Sequence, residues 1–279
     1  MKGKGKFTRW VAIVALTVTA ISLEGCSPAG NNAPDYSVQP QVIAVVGDFG
    51  SGRAAESRVS KMVAKWNPSV VVTAGDNNYT KKSYERMVKK YYPQPLVAAT
   101  GNHDYLVGIN RFDSFFNKDS QSRNYVYHAA SGADFFILDS TAGLESKTIR
   151  NQQESWLTQQ LAISNANFKI VVLHHPPYSS SKHGSTKVYQ WPYAEMGADL
   201  VISGHDHSYE RIERWSGIYI VDGTGGAKLY KCKPKLVYGS QGCDDKHYGA
   251  LFLYINGYQL RGIFRDTNGR ALDTFDVFK

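Results

Sequence analysis

Two aspartates occupy the same setting: Asp48 in "GDFG" at 47–50 and Asp76 in "GDNNY" at 75–79 each follow a glycine at the end of an apolar run. Three more apolar runs end in polar residues of related kind, "GNHD" at 101–104, "HHPP" at 174–177 and "GHDH" at 204–207. Carboxylate, imidazole, carboxamide and phenol are all donors to hard or borderline cations. Singly, each has an ordinary reading: Asp48 caps the next helix, Asn102 holds a turn, a buried histidine is satisfied by hydrogen bonds. Five in succession change the balance. Of eight histidines, six fall at or near these motifs and only His128 and His247 stand apart, so a shared metal centre is the better reading.

Donors spread so widely along the chain meet only if the fold brings strand ends together. The runs "VIAVVG" at 42–47, "VVVTA" at 70–74, "LVAA" at 96–99, "KIVVL" at 169–173 and "LVIS" at 200–203 are β-branched without alternation, as strands covered on both faces are. In an open α/β sheet the carboxyl ends of neighbouring strands share one edge, and a glycine beside the donor permits the tight turn. Between the runs lie helical patterns. Ala55, Val59, Met62, Val63 and Trp66 share one face, and "NQQESWLTQQLAIS" at 151–164 brings Trp156, Leu157 and Leu161 together. Further strands are expected at 124–129, 134–140 and 217–223. The C-terminal third reads as a meander, with a hairpin turn at Asn256-Gly257 inside "GALFLYINGYQLRGIF". A mixed α/β domain with two sheets, spanning 41–279, accommodates this pattern better than a simple doubly wound sheet.

The chain has 279 residues, 42% apolar and 20% charged, which excludes a disordered or fibrous class and provides for one large core. Residues 1–25 read as an export signal: Lys2, Lys4, Lys6 and Arg9 precede "WVAIVALTVTAISL", a run shorter than the roughly 20 residues a membrane span needs. "LEGC" at 23–26 resembles the lipobox of bacterial lipoproteins, with Cys26 as the lipidated residue, although Glu24 departs from that pattern. Lipid anchoring in a bacterial cell envelope and plain secretory cleavage near Cys26 both stand open. Residues 26–40 read as a flexible tether or a simple tail. Export makes a disulfide between Cys232 and Cys243 the expected fate of the remaining cysteines. The formal charge is +8; the first 25 residues carry four basic side chains and one acidic, leaving a modest +5 for the rest. That excess suits an anionic substrate, and no basic–aromatic platform for nucleic acid is visible.

The motifs GDxG, GDxxY, GNH followed by Asp, VxxH (here "VVLH" at 171–174) and GHxH come in the order found in calcineurin-like metallophosphoesterases. Within that superfamily the chain most resembles the short, single-domain purple acid phosphatases, over about 42–211. The resemblance implies a four-layer α/β/β/α sandwich with two mixed sheets. It further implies a dinuclear centre: Asp48, Tyr79 and His207 on the first metal, Asn102, His174 and His205 on the second, and Asp76 bridging. The histidine of a D-x-H first motif is replaced by Gly50, a deficit Tyr79 fills. A phenol with an ordinary pKa near 10 binds as phenolate to a strongly acidic cation, so Fe(III) is implied at the first site and divalent Zn, Fe or Mn at the second. The competing role for Tyr79 is an aromatic packed under the site. His174, two residues before Pro176, takes the ligand position, with His175 in reserve.

By the same resemblance His103 and His183 are outer-sphere histidines that touch phosphate and protonate the leaving alkoxide. The plainer alternatives are that His103 orients Asn102 or Asp76 and that His183 is an exposed loop residue. Asp104 either orients His103 or caps the next segment. The implied activity is hydrolysis of small phosphomonoesters by a metal-activated hydroxide. A phosphodiesterase or nucleotidase on the same fold is the first alternative, decided by loops at 105–123, 141–150, 178–194 and 226–247. A non-catalytic surface-binding lipoprotein is the second.

Overall fold

The computed structural model describes residues 39–89 and 94–279, so the expected signal segment, Cys26 and all but the last two positions of the expected tether lie outside the described residues. The strands are β1 (Gln41–Val46), β2 (Val70–Thr73), β3 (Leu96–Ala98), β4 (Tyr125–His128), β5 (Ala133–Ile137), β6 (Phe168–Val172), β7 (Leu200–Ser203), β8 (Tyr209–Arg214), β9 (Gly217–Asp222), β10 (Ser240–Asp244), β11 (Gly249–Asn256), β12 (Gln259–Asp266) and β13 (Ala271–Phe278). The helices are α1 (Ala54–Lys65), α2 (Asn102–Leu106), α3 (Ile109–Phe116), α4 (Ser140–Glu145) and α5 (Lys147–Ile163).

The strands form two mixed sheets. One runs β13-β12-β11-β1-β2-β3, the other β10-β8-β9-β7-β6-β5-β4. β1, β2 and β3 are parallel to one another, as are β5, β6, β7 and β9. The C-terminal meander joins the first sheet through antiparallel pairing of β11 with β1. Alternate residues explain the layering. Ile43 and Val45 of β1 face the second sheet, where they meet a core that includes Phe135, Ile170, Val172 and Ile202. Ala44 and Val46 face the other way, onto Val59, Met62 and Val63 of α1. On the second sheet, Phe136, Val171 and Val201 turn outward to Leu157 and Leu161 of α5. Both faces of both sheets are therefore covered, which is why the central strands read as unbroken apolar runs. Helix, sheet, sheet and helix make the α/β/β/α sandwich.

Some details differ from the sequence reading. α5 starts at Lys147, earlier than its apolar pattern, because Ser146 caps it by accepting from the Ile149 N–H. Much of 105–123 and 141–150 is helical, in α2, α3 and α4, rather than loop. β8 ("YERIER") and β10 ("SQGCD") carry no apolar run. β8 holds its polar side chains by pairing: Arg211 forks onto both oxygens of Asp273, and buried Glu210 accepts from the hydroxyls of Ser180 and Ser240. No helix of the described residues is long and apolar enough to cross a membrane.

Candidate metal centre

β1, β2 and β3 end just before Asp48, Asp76 and Asn102, while β6 and β7 end before His174 and before His205 and His207. The donors thus come from both sheets, meeting where the two open edges adjoin, not along the edge of one sheet. Cross-links between the motif loops fix their relation: the Asp48 N–H donates to the Gly75 carbonyl, and the Gly204 N–H to the His174 carbonyl.

Asp48, Asp76 and His205 have positive φ, 58°, 54° and 68°. For residues with a Cβ this costs about 1–2 kcal/mol each. Such strain collects where surrounding structure over-determines a functional geometry. The preceding glycines explain the closeness of approach. Gly75 has φ +90°, and a Cβ there would lie 2.5 Å from His174 Nδ1; a Cβ at Gly101 would strike the Asp76 carboxylate.

Two donor groups result. In the first, Tyr79 Oη lies 2.8 Å from Asp48 Oδ1 and 3.1 Å from His207 Nε2, and the last two atoms are 3.2 Å apart. In the second, Asn102 Oδ1 lies 3.1 Å from His174 Nε2 and 2.9 Å from His205 Nδ1. Asp76 Oδ1 is 3.4 Å from His174 Nε2, and Asp48, Asp76 and His174 offer ligand atoms within 4.8 Å of one another. Neighbouring ligands around an ion with bonds of about 2.1 Å are spaced by about 3 Å, so the buried Asp48, Asp76 and His174 suit a cation. The outer hydrogen bonds agree. His174 Nδ1 lies 2.8 Å from the Ala74 carbonyl and His207 Nδ1 lies 2.7 Å from the Lys228 carbonyl. Each Nδ1 therefore carries a proton, which leaves Nε2 as the atom that would face a metal ion.

Ionisation follows from the crowding of charge. Burial alone would raise the Asp76 carboxyl, but His174 and His103 outweigh it and hold it well below the usual carboxylate range. Against its own burial, His174 is pushed up to about 9 by Asp76 and Asp48. Burial, Asp48 and Asp76 keep the Tyr79 phenol protonated far above its usual range, and it donates to Asp48. Only a strongly acidic cation displaces that proton.

The other candidates separate. The His103 N–H donates to Asp76 Oδ1 at 2.8 Å, and its ring lies 4.2 Å from that of Tyr79. The exposed His183 has its ring 4.3 Å from His205 and its N–H on Asp206. Both border the donors. His175 is buried beside His174 but turned to Ser140, whose Oγ is 2.9 Å from its Nδ1; burial and His174 bring it down to about 3. Asp104 accepts from Asn77, Tyr84 and Gly101, tying the second and third motif loops together. Cys232 and Cys243 are disulfide-bonded.

Three residues near the site have contacts that the sequence reading did not assign. Asp206, buried between His205 and His207, accepts from the Ser179 hydroxyl and from the His183 and Gly184 N–H groups, shaping the loop that carries His183. Tyr230 stacks on His207, and Lys182 lies over Tyr230. No local pattern announces a stack between residues 23 positions apart.

The calcineurin-like phosphoesterase family model matches residues 42–209. Purple acid phosphatase 5 of Arabidopsis thaliana is 29% identical over 66% of this chain, which spans about half of that relative (48%). Purple acid phosphatase 4 of the same plant is 25% identical over 88% of this chain and 85% of its own length. Among solved structures, GAP50, the anchor in the inner membrane complex of Plasmodium, has a TM-score of 0.76 at 19% identity, covering 86% of this chain and 89% of its own; that likeness is one of fold.

Proposed function

This chain belongs to the calcineurin-like phosphoesterase family, and from that premise we propose that it hydrolyses phosphomonoesters at a centre of two metal ions. The observation that carries the reading is the pair of donor groups, Asp48–Tyr79–His207 and Asn102–His174–His205, with Asp76 beside the second and within reach of Asp48. Fe(III) at the phenol-bearing group and divalent Zn, Fe or Mn at the other match the donor chemistry. Such ions supply Lewis acidity toward phosphate oxygens and acidify water.

The chain's own residues do the rest. Asp76 is held ionised between the donor groups and is oriented by the His103 N–H. Strained backbone at Asp48, Asp76 and His205 aims the donors before substrate arrives, so little reorganisation remains for the reaction. His103 and His183 stand on the rim, where an imidazole can contact a phosphate oxygen and hand a proton to the departing alkoxide. Export with lipid attachment at Cys26 belongs to the same proposal, supported by the basic and apolar N-terminal sequence and by the disulfide.

The test joins metal analysis to an assay of phosphomonoesters against diesters. Two ions per chain, monoester turnover and its loss in Asp76→Asn are expected. Fewer than two ions refutes the dinuclear reading, and preferential diester cleavage refutes the substrate class. Metal binding without turnover on any phosphoester is the result expected of a binding protein.

A further inference from the structure

We propose that Tyr230 is a positioning residue for His207, and that the Cys232–Cys243 disulfide holds Tyr230 in place; the inference rests on the two-ion reading of the centre. His207 is gripped by one short segment in three ways. Its Nδ1 donates to the Lys228 carbonyl at 2.7 Å, its own carbonyl accepts from the Tyr230 N–H at 2.9 Å, and the Tyr230 ring lies 4.0 Å away and 11° from parallel. The first contact fixes the tautomer and the third fixes the plane of the ring. Together they keep Nε2 aimed at Asp48 and Tyr79. Since His207 covers one face of Tyr230, the Lys182 ammonium, 4.4 Å from the ring centre, sits over the other. His183 meets the same ring edge-on at 5.4 Å. Tyr230 therefore joins a ligand of the first ion to an outer histidine.

The segment that does this has no regular secondary structure of its own. Cys232 ties it to Cys243 on β10, which pairs with Glu210 on β8, three residues beyond His207. The Cys232 N–H donates to Asp245 Oδ2 and the Lys233 N–H to the Ser180 carbonyl. The path from His207 along β8, across to β10, through the disulfide and back along the chain to Tyr230 is a closed loop. Opening it at the disulfide removes the covalent tie and leaves the Tyr230 stack to the hydrogen bonds of Cys232 and Lys233, a weaker hold on the plane of the imidazole.

The experiment measures Zn(II) binding to chelator-stripped protein by calorimetric titration, with folding checked by circular dichroism. It compares wild type, Tyr230→Phe, Tyr230→Leu, the Cys232→Ser/Cys243→Ser pair and His207→Ala. Outer-shell partners of metal ligands are worth about 10–100-fold in affinity. Tyr230→Phe should bind as wild type. Tyr230→Leu and the double serine variant should weaken one ion, the one His207→Ala abolishes, by that factor and leave the other unchanged. Tyr230→Leu binding both ions at wild-type affinity, or weakening both equally, overturns the inference. Should Tyr230→Leu fail to fold, the double serine variant carries the same expectation. Wild type binding a single ion refutes the two-ion reading instead, and Tyr230→Leu must still weaken whichever ion needs His207, so the two failures are distinguishable.

Discussion

Replacing Gly75 with alanine tests whether the backbone was shaped around His174. Three costs come from the geometry. Alanine at φ +90° loses at least the roughly 1–2 kcal/mol of a left-handed residue. The new methyl would lie 2.5, 2.8 and 2.9 Å from Nδ1, Cγ and Cβ of His174, and relieving such overpacking costs about 1–3 kcal/mol. Moving the ring breaks the bond from Nδ1 to the buried Ala74 carbonyl, another 1–3 kcal/mol or so. The last two costs exist only while His174 is present. In a His174→Gly background, which removes all three obstructing atoms, Gly75→Ala should cost only the backbone part. Urea unfolding of the four proteins of the cycle, kept metal-free with chelator, should yield a coupling of about 2–6 kcal/mol. Equal cost of Gly75→Ala in both backgrounds would refute the packing argument, leaving the glycine needed for its dihedral alone.

Tyr79→Phe in iron-loaded protein should abolish the visible charge-transfer band and weaken one ion; an unchanged band rules out phenolate ligation. His103→Ala and His183→Ala should each lower kcat by about 10²–10⁴ with metal content retained, and equal loss of metal in His103→Ala would make that residue a support of Asp76. Adding Zn(II) to stripped protein should raise stability by about 2.7 kcal/mol per independent site at 100 times Kd, read from the urea midpoint, whereas Asp76→Asn should blunt the gain. Glu56, buried under Gly226 with Oε1 unpartnered, is raised by burial to about 7 from 4.5. The fold then binds this proton more tightly than the unfolded chain, so its contribution is full below pH 4.5 and declines to pH 7. Glu56→Gln should flatten the fall in stability across that window, and an unaltered pH profile would exclude Glu56 as its source.

The strands bearing Asp48, Asp76, Asn102, His174 and His205 were legible because burial on both faces leaves unbroken apolar runs, and a change to glycine and polar donors marks where each run stops. The apolar face of α1 was legible for the same reason, by period. β8 was not, since its polar side chains are satisfied by Asp273, Ser180 and Ser240, partners remote in sequence. The division of the donors between two sheets was also hidden: strand ends predict an edge, but which strands pair is decided by contacts across the whole chain. Asp206 and Tyr230 escaped for the opposite reason to the candidate donors. Their roles lie in what they hold, Asp206 through backbone N–H groups and Tyr230 through a ring face, and neither use leaves a composition signal.

Because Asp48, Asp76 and Asn102 hang from one sheet and His174, His205 and His207 from the other, an ion sharing donors from both would act as a rivet through the sandwich. A chain whose halves dock out of alignment has no place to load it, so occupancy certifies correct assembly as well as readiness for chemistry. Sliding of one layer over the other, already opposed by the close-packed core and by the bonds of His174 to Ala74 and His205 to Asp48, would cost the ion's bonds as well.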